Sequence, residues 1–260
     1  MTTSAVRVTR HDHVVEIELN RPDALNALST ALAREVADVT SEIARTVDAR
    51  AVVLTAAGDR AFCVGADLKE RNAMSDDDLR AQRVVFRAAF GGVLQLPQPV
   101  VAAVHGFALG GGCELALSCD IVVGDETAVL GLPEVTIGLV PGGGGTQLAL
   151  RRLGAGRAAD VVLTGRRISA GEAHSLGLLD RLVPAGSARA AALELAQQIA
   201  GNSPVATRAA KRALRDGWGL DYAAAMDVED TAWRAAAFSG DRKEGIAAFN
   251  DKRPPQWPGS

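Results

Sequence analysis

The chain has 260 residues, of which 48% are hydrophobic and 23% are charged, a balance that excludes a largely disordered protein. A formal net charge of -3 argues against nucleic acid as the main partner, and three cysteines are too few for a disulfide framework. The length suggests one large domain, alone or with an appendage. No apolar segment near the start reads as a leader or a membrane span, so we expect a cytoplasmic protein that does not enter membranes.

The first part of the chain predicts strands that alternate with helices. Apolar and polar side chains alternate over residues 15–19, which is typical of a half-buried strand. The continuous apolar runs 51–54 and 100–104 are typical of strands that are buried on both faces. Apolar residues at helical spacing predict helices over 32–43 and 75–96, the second with a capping serine at its start and prolines after its end.

The second part begins in the same way and then becomes entirely helical. Strands are predicted over 121–123 and 178–183, with a helix over 147–153 between them. After residue 183 the pattern predicts only helices, one of which opens at Ser203 with a proline at its first position, while the last opens at Asp241. The chain is therefore predicted to be an α/β protein followed by a helical region.

Two glycine runs lie beside glutamates. Gly110, Gly111 and Gly112 connect a buried strand to a helix that carries Glu114, so free amides of the first helical turn can point toward a ligand. Tight packing alone would also explain this turn, and Glu114 could simply favour the helix N-terminus. The spacing is neither a dinucleotide fingerprint nor a phosphate-binding loop.

The second run, 142–145, follows Glu134 in an apolar and glycine-rich segment. A solvated loop carboxylate is the alternative interpretation of Glu134. If the two segments converge, Glu114 and Glu134 can share a water molecule, and their repulsion and burial would retain a proton between them, as acid–base catalysis requires. A third glycine turn, Gly65-Ala66, also follows a buried strand.

Five segments together carry a family resemblance: NRPDALNAL (20–28), AFCVGADLKE (61–70), VAAVHGFALGGGCELAL (101–117), GLPEVTIGLVPGGGGTQ (131–147) and LTGRRISAGEA (163–173). In order and spacing they resemble the enoyl-CoA hydratase (crotonase) family, and FNDKRPPQW (249–257) extends the resemblance to nearly the whole chain. The combination is specific, although each glycine turn alone is common.

The resemblance implies a crotonase-like spiral of repeated β-β-α units with a C-terminal helical region that trimerises. Residues 1–200 would form the core with the acyl-CoA site, and residues 201–260 would form the oligomerisation region, which also covers that site. The amides of Ala66 and Gly111 would bind the thioester oxygen, and Glu114 and Glu134 would be the catalytic carboxylates. The residues implied in substrate or coenzyme A binding are Ala24, Ala66, Asp67, Leu68, Lys69, Gly111, Gly142, Phe249 and Lys252.

The implied activity is the reversible hydration of a 2-enoyl-CoA thioester, because both glutamates are present. Alternatives are an enoyl-CoA isomerase, an acyl-CoA hydrolase or decarboxylase, and, from another class, a non-catalytic oligomer that binds acyl-CoA or RNA. Coenzyme A would be part of the substrate, and we expect no metal and no other cofactor. A trimer or a dimer of trimers is expected, without nucleic acid or membrane partners. Leu148 and His105 depart from common family residues and leave the fine specificity open.

The cysteines are expected to be structural. Cys63 and Cys119 are interpreted as small core residues. Cys113 lies near a helix N-terminus that would stabilise a thiolate, but no histidine is placed to act as its base.

Overall fold

The computed structural model describes residues 4–260 and contains two sheets, each built from strands of the N-terminal three quarters of the chain. The larger sheet has the order β1-β2-β3-β5-β7-β10 and the smaller one the order β4-β6-β8-β9. The strands are β1 (Val6–His11), β2 (Val14–Leu19), β3 (Ala51–Ala56), β4 (Ala61–Cys63), β5 (Val100–Val104), β6 (Phe107–Leu109), β7 (Ile121–Asp125), β8 (Val129–Gly131), β9 (Ile168–Ser169) and β10 (Arg181–Val183).

The helices cover the sheets and then continue as a separate layer at the end of the chain. They are α1 (Thr30–Ala44), α2 (Leu68–Asn72), α3 (Asp76–Gln95), α4 (Gly111–Leu117), α5 (Gly145–Leu153), α6 (Ala155–Thr164), α7 (Ala170–Leu176), α8 (Ala188–Ala200), α9 (Pro204–Asp216), α10 (Tyr222–Ala237) and α11 (Gly240–Asn250). Short 3-10 helices span Pro22–Ala24 and Pro133–Ile137.

From β3 to β8, successive strands alternate between the two sheets. After β3 the chain enters β4, after β5 it enters β6, and after β7 it enters β8. The pairs β3·β5 and β5·β7 in the large sheet and β4·β6 and β6·β8 in the small sheet are parallel. Each step therefore repeats a β-β-α path, as predicted, and it brings the ends of β4 and β6 to the same edge.

The prediction of a half-buried strand over residues 15–19 is wrong about its polar face. Glu16 on β2 is only 1% exposed, because α8 packs over this face of the large sheet. Arg189 donates two hydrogen bonds to the Glu16 carboxylate, at 2.5 and 2.8 Å, and lowers the pKa of that glutamate against the opposing effect of burial. The charge is buried because it is paired.

Three helices follow Ser203 and pack on one another, α9 on α10 and both on α11. Lys211 of α9 attaches them to the sheets: its Nζ lies 2.7 Å from an Asp120 oxygen and donates to the Gln98 carbonyl at 2.6 Å. The last helix is capped by Ser239 rather than beginning at Asp241, which is 1% exposed and accepts from the Ser203 hydroxyl.

Within residues 4–260, no helix combines the length and the apolarity that a membrane crossing requires.

Candidate active site

Two of the predicted glycine turns touch each other. Gly65 follows β4 and Gly110 follows β6, and these strands are parallel neighbours, so their ends lie side by side. A Cβ on Gly65 would lie 3.2 Å from the Gly111 nitrogen and 3.6 Å from the Gly110 Cα. Gly65 also has a φ of +89°, which disfavours any side chain. This close approach, called here the glycine contact, therefore depends on the missing side chains.

On one side of the glycine contact, Ala66 has a free amide. Leu28 donates to the Gly65 carbonyl at 2.8 Å and accepts from the Asp67 amide at 2.9 Å. In such a parallel bridge, the residue between the two hydrogen-bonded residues has its own N–H pointing away from the neighbouring segment. The Ala66 N–H accordingly has no acceptor among residues 4–260.

On the other side, Gly111 is the first residue of α4. Its N–H cannot bond within the helix, and Gly110 has no side chain to cap it. A Cβ at Gly111 would meet Leu28 Cδ1 at 3.0 Å and Phe90 Cζ at 3.4 Å. The amides of Ala66 and Gly111, unbonded within residues 4–260, thus lie on either side of the glycine contact.

The Glu114 side chain extends from α4 toward the glycine run 142–145. Its Oε1 accepts hydrogen bonds from the amides of Gly143, at 2.6 Å, and Gly145, at 2.7 Å. The side chain is 3% exposed, and this burial raises the pKa of the carboxyl, while the amides oppose the rise. The four glycines let the backbone wrap closely enough to make these bonds, since a Cβ on Gly145 would lie 2.9 Å from Oε1.

Glu134 lies on the 3-10 helix Pro133–Ile137, on the far side of Gly110. A Cβ on Gly110 would stand 3.1 Å from Glu134 Oε1, so the carboxyl borders the glycine contact. Its Oε2 is buried without a hydrogen-bond partner among the described residues. Burial, with a further contribution from the charge of Glu114, raises the pKa of Glu134 to about 7. The two carboxyls therefore lie close enough to influence each other's ionisation.

A sequence model of the enoyl-CoA hydratase/isomerase family matches residues 9–260. The chain belongs to this family. Its match to the family model covers both glycine turns, both glutamates and the helical region at the end.

Known members of the enoyl-CoA hydratase/isomerase family resemble the chain along its whole length. It is 40% identical over 257 residues to the 2,3-dehydroadipyl-CoA hydratase of Escherichia coli, covering 98% of this chain and 99% of that protein. It is 37% identical over 253 residues to the short-chain-enoyl-CoA hydratase of Clostridium acetobutylicum, covering 97% of each. The crystal structure of an enoyl-CoA hydratase from Bacillus anthracis matches with a TM-score of 0.96 and 43% identity, over 98% of this chain and 100% of that one. The predicted crotonase-like fold class is thus confirmed.

The remaining predicted site residues of this family member fall into two groups. Asp67 caps α2 and pairs with Arg21 at 3.0 Å, which sets Leu68 and Lys69 on the exposed start of the helix beside Ala66. Ala24 ends the 3-10 helix that follows Arg21, and the Gly142 carbonyl accepts a bond from Arg83.

The second group, Phe249 and Lys252, lies at the end of α11, which packs on α9 and α10. Phe249 is 84% exposed, and Lys252 is exposed with a φ of +54°. Among residues 4–260 neither forms a side-chain hydrogen bond to the glycine contact or to α2. Their predicted contact with coenzyme A stays a prediction that needs a neighbouring subunit.

The expectation that α4 would stabilise a Cys113 thiolate is wrong. Cys113 is 1% exposed, and burial raises the pKa of its thiol to about 12, which outweighs any effect of the helix N-terminus. Cys63 and Cys119 are likewise buried and form no disulfide within residues 4–260, as predicted for core residues.

Sequence reasoning missed two kinds of contributor. The amides of Gly143 and Gly145 were not assigned a role, although four consecutive glycines after a predicted site residue were a usable signal. Phe90 falls within the helix that was predicted over 75–96, and it was assigned no role in the site. Its ring packs within 2.7 Å of where a Gly143 Cβ would stand, so it forms part of the wall of the site.

Proposed function

We propose that this family member is an enoyl-CoA hydratase that adds water reversibly to a 2-enoyl-CoA thioester and forms 3-hydroxyacyl-CoA. The observation that carries the proposal is the pairing of Glu114 and Glu134, two neighbouring carboxyls with opposite hydrogen-bond environments beside two unbonded amides. Hydration needs a group that receives a proton from water and a second one that delivers a proton to carbon.

The proposed reaction begins with the thioester oxygen between the amides of Ala66 and Gly111. Glu114, whose charge is stabilised by amide donors, positions the water and accepts its proton as the water oxygen bonds to C3. Negative charge then grows on the thioester oxygen, where each fixed donor can contribute about 3 kcal/mol. Glu134 delivers its proton to C2, and the proton that Glu114 gained returns to Glu134 before the next cycle.

The glutamate pair favours hydration over the other reactions of the family. An isomerase moves one proton between two carbons, for which a single carboxyl suffices, whereas here both carboxyls border the glycine contact. A non-catalytic oligomer would gain nothing from a half-buried, unpartnered carboxyl, which costs stability. Relatives named as hydratases differ in their acyl groups, from short-chain-enoyl-CoA to 2,3-dehydroadipyl-CoA, so the acyl preference must come from this chain's own side chains.

The proposal includes a cytoplasmic homo-oligomer, either a trimer or a dimer of trimers, whose substrate is an acyl-CoA thioester. It needs no cofactor beyond the coenzyme A of that substrate. Large apolar side chains stand exposed on the C-terminal helices and the turns between them, as an interface between subunits would require: Leu214, Trp218, Leu220, Tyr222, Met226, Trp233, Phe238, Ile246 and Phe249. Light scattering that gave about 27 kDa at micromolar concentration would contradict the oligomer.

The activity is tested with crotonyl-CoA. We expect absorbance of the conjugated double bond to fall with time and 3-hydroxybutyryl-CoA to appear as the product. A protein that instead released free coenzyme A, or moved the double bond of a 3-enoyl-CoA without hydrating crotonyl-CoA, would identify a different reaction of the family.

A further inference from the structure

Arg71, on α2, is held in place by a buried network. The Gln82 side chain is 3% exposed, and its amide nitrogen donates to the Thr30 hydroxyl at 2.8 Å and to Glu70 at 3.3 Å. These bonds fix which way the amide points, so its oxygen accepts from Arg71 Nε at 2.9 Å. The Phe86 ring lies 5.2 Å from the centre of the guanidinium. The network therefore orients the arginine before any ligand binds.

The charge of Arg71 is not neutralised by a bonded carboxylate. Among residues 4–260 its two terminal nitrogens have no hydrogen-bond acceptor, and it forms no ion pair. Burial lowers its pKa, an effect that the nearby charges of Glu70 and Glu114 oppose. Because the free donors of this half-buried guanidinium reach solvent, an anion can approach them and accept charge-assisted hydrogen bonds.

Arg83 places a second cation at the same end of the site. It donates to the Gly142 carbonyl, at the start of the glycine run, and forms no ion pair among the described residues. Its charge acts to lower the pKa of Glu114, and it also disfavours the charge of Arg71. The two arginines thus lie near each other and near Glu114, yet within residues 4–260 neither forms a salt bridge with a carboxylate.

One face of α3 connects these arginines to the glycine contact. Phe90 packs against Gly111, whereas Arg83 lies two turns earlier on the same face, about 10 Å along the helix axis. Phe86 lies between them and meets Phe90 edge to face, with 6.2 Å between the ring centroids. A chain that starts at the amide of Gly111 and passes Glu114 would run along these rings and end at the guanidinium groups.

We propose that the enzyme acts on 2-enoyl-CoA thioesters whose acyl chain ends in a carboxylate, which Arg71 binds and Arg83 supports. This proposal rests on the proposed hydratase function, because the position of Glu114 fixes where C2 and C3 of the substrate lie. The phosphates of coenzyme A fit the two arginines less well than an acyl-chain carboxylate does. They lie at the far end of the pantetheine arm, away from the reacting carbons. Without cations here, Glu114 and Glu134 would repel an acidic acyl chain.

The test compares acyl chains that are matched in length but differ in charge. We expect kcat/KM to be about 10- to 100-fold higher for trans-2-hexenedioyl-CoA than for trans-2-hexenoyl-CoA, the range of a charge-assisted hydrogen bond. In Arg71→Met this ratio should fall to about one or below, and Arg71→Lys should restore part of it. The ratio cancels any effect that Arg71 has on Glu114 alone, since that effect applies to both substrates.

Arg87→Met is the matched control, because Arg87 is an exposed arginine of α3 that forms no hydrogen bond or ion pair within residues 4–260. It should leave the ratio as in the unmodified enzyme. A ratio near one in the unmodified enzyme, or a ratio that Arg71→Met does not change, would overturn the proposal.

Binding of saturated analogues separates this proposal from the proposed reaction. Calorimetry should show tighter binding of adipoyl-CoA than of hexanoyl-CoA, with a difference that is lost in Arg71→Met. That result supports the carboxylate site even in a protein that hydrates nothing, and such inactivity would contradict only the hydratase function. Equal binding of the two analogues, beside normal hydration of trans-2-hexenoyl-CoA, would remove the carboxylate site and leave the hydratase function standing.

Discussion

The two sides of the candidate active site hold the same side chain in different ways. On one side, the glycine run surrounds Glu114 and gives two amide bonds to one carboxylate oxygen. On the other, the short 3-10 helix leaves an oxygen of Glu134 buried, with no hydrogen-bond partner in the described part of the chain. Amide donors favour the charged form of a carboxyl, whereas burial without donors favours the neutral form. This difference between the two carboxyls supports the proposal that Glu114 acts as the base and Glu134 as the acid.

Replacing the proton donor should give the largest effect. We expect Glu134→Gln to lower the kcat for hydration by about 10²- to 10⁴-fold, because the amide cannot deliver a proton to C2. The affinity for a saturated acyl-CoA should change little, since the amides of Ala66 and Gly111 remain. Steady-state kinetics with crotonyl-CoA and calorimetry with butyryl-CoA check both parts, and near-normal turnover would remove Glu134 from the mechanism.

A smaller effect is expected when the donors to Glu114 are disturbed instead. In Gly145→Ala the new methyl group would lie 2.9 Å from Glu114 Oε1 and would push the carboxylate away from its amides. Losing a charge-assisted hydrogen bond corresponds to about a 10- to 100-fold loss in kcat. Gly156→Ala serves as the control, because a Cβ there would meet nothing within 4 Å. Equal activity of the two variants would show that the hydrogen bonds from the backbone amides to Glu114 do not affect turnover.

The pH dependence of the hydration rate should reflect the difference between the two glutamates. Glu134 must carry its proton for hydration, and its pKa is raised to about 7. We therefore expect kcat/KM for hydration to fall about tenfold for each pH unit above 7. A profile measured from pH 5 to pH 9 should show this alkaline limb in the unmodified enzyme and lack it in the residual activity of Glu134→Gln. A flat profile between pH 7 and pH 9 would contradict the assignment.

The smallest expected effect is on stability. The folded protein binds the Glu134 proton more tightly than the unfolded chain does, so stability falls as pH rises from about 4.5 to about 7 and stays lower above that. Glu134→Gln removes this loss of stability. With an allowance for solvent screening at a half-buried carboxyl, it should raise the free energy of unfolding at pH 8 by about 1–3 kcal/mol, but hardly at all at pH 4.5. Urea unfolding at one fixed protein concentration measures the difference. A gain of the same size at both pH values would point to packing rather than ionisation.

The sequence allowed the long, continuous features to be predicted. The apolar runs became β3 and β5, the capping serine at Ser75 begins α3 with a capping box, and both glutamates border the glycine turns. The strands β4, β6 and β8 were beyond such reasoning, because three residues are too few to show an alternation.

Other features could not be predicted because their causes lie far away in the chain. Glu16 is buried since Arg189, on a helix that follows the last strand, pairs with it. The pKa of Cys113 is set by burial in the packed core rather than by the helix end that the sequence shows. Nothing in the sequence indicated what a side chain at Gly111 would meet. Its Cβ direction leads into Leu28 and Phe90, so larger side chains there would disturb packing as well as any binding by the Gly111 amide.

The glycine contact has a consequence for how such a protein can diverge. The groups proposed to stabilise the enolate belong to the main chain, so no exchange of side chains at Glu114 or Glu134 removes them. A descendant that lost both glutamates would still bind a thioester with its oxygen polarised, and it could acquire another reaction by placing a new residue nearby. The main-chain groups therefore persist through changes at the carboxylates as long as Gly65 and Gly111 are kept, while the choice of reaction is left to a few replaceable positions.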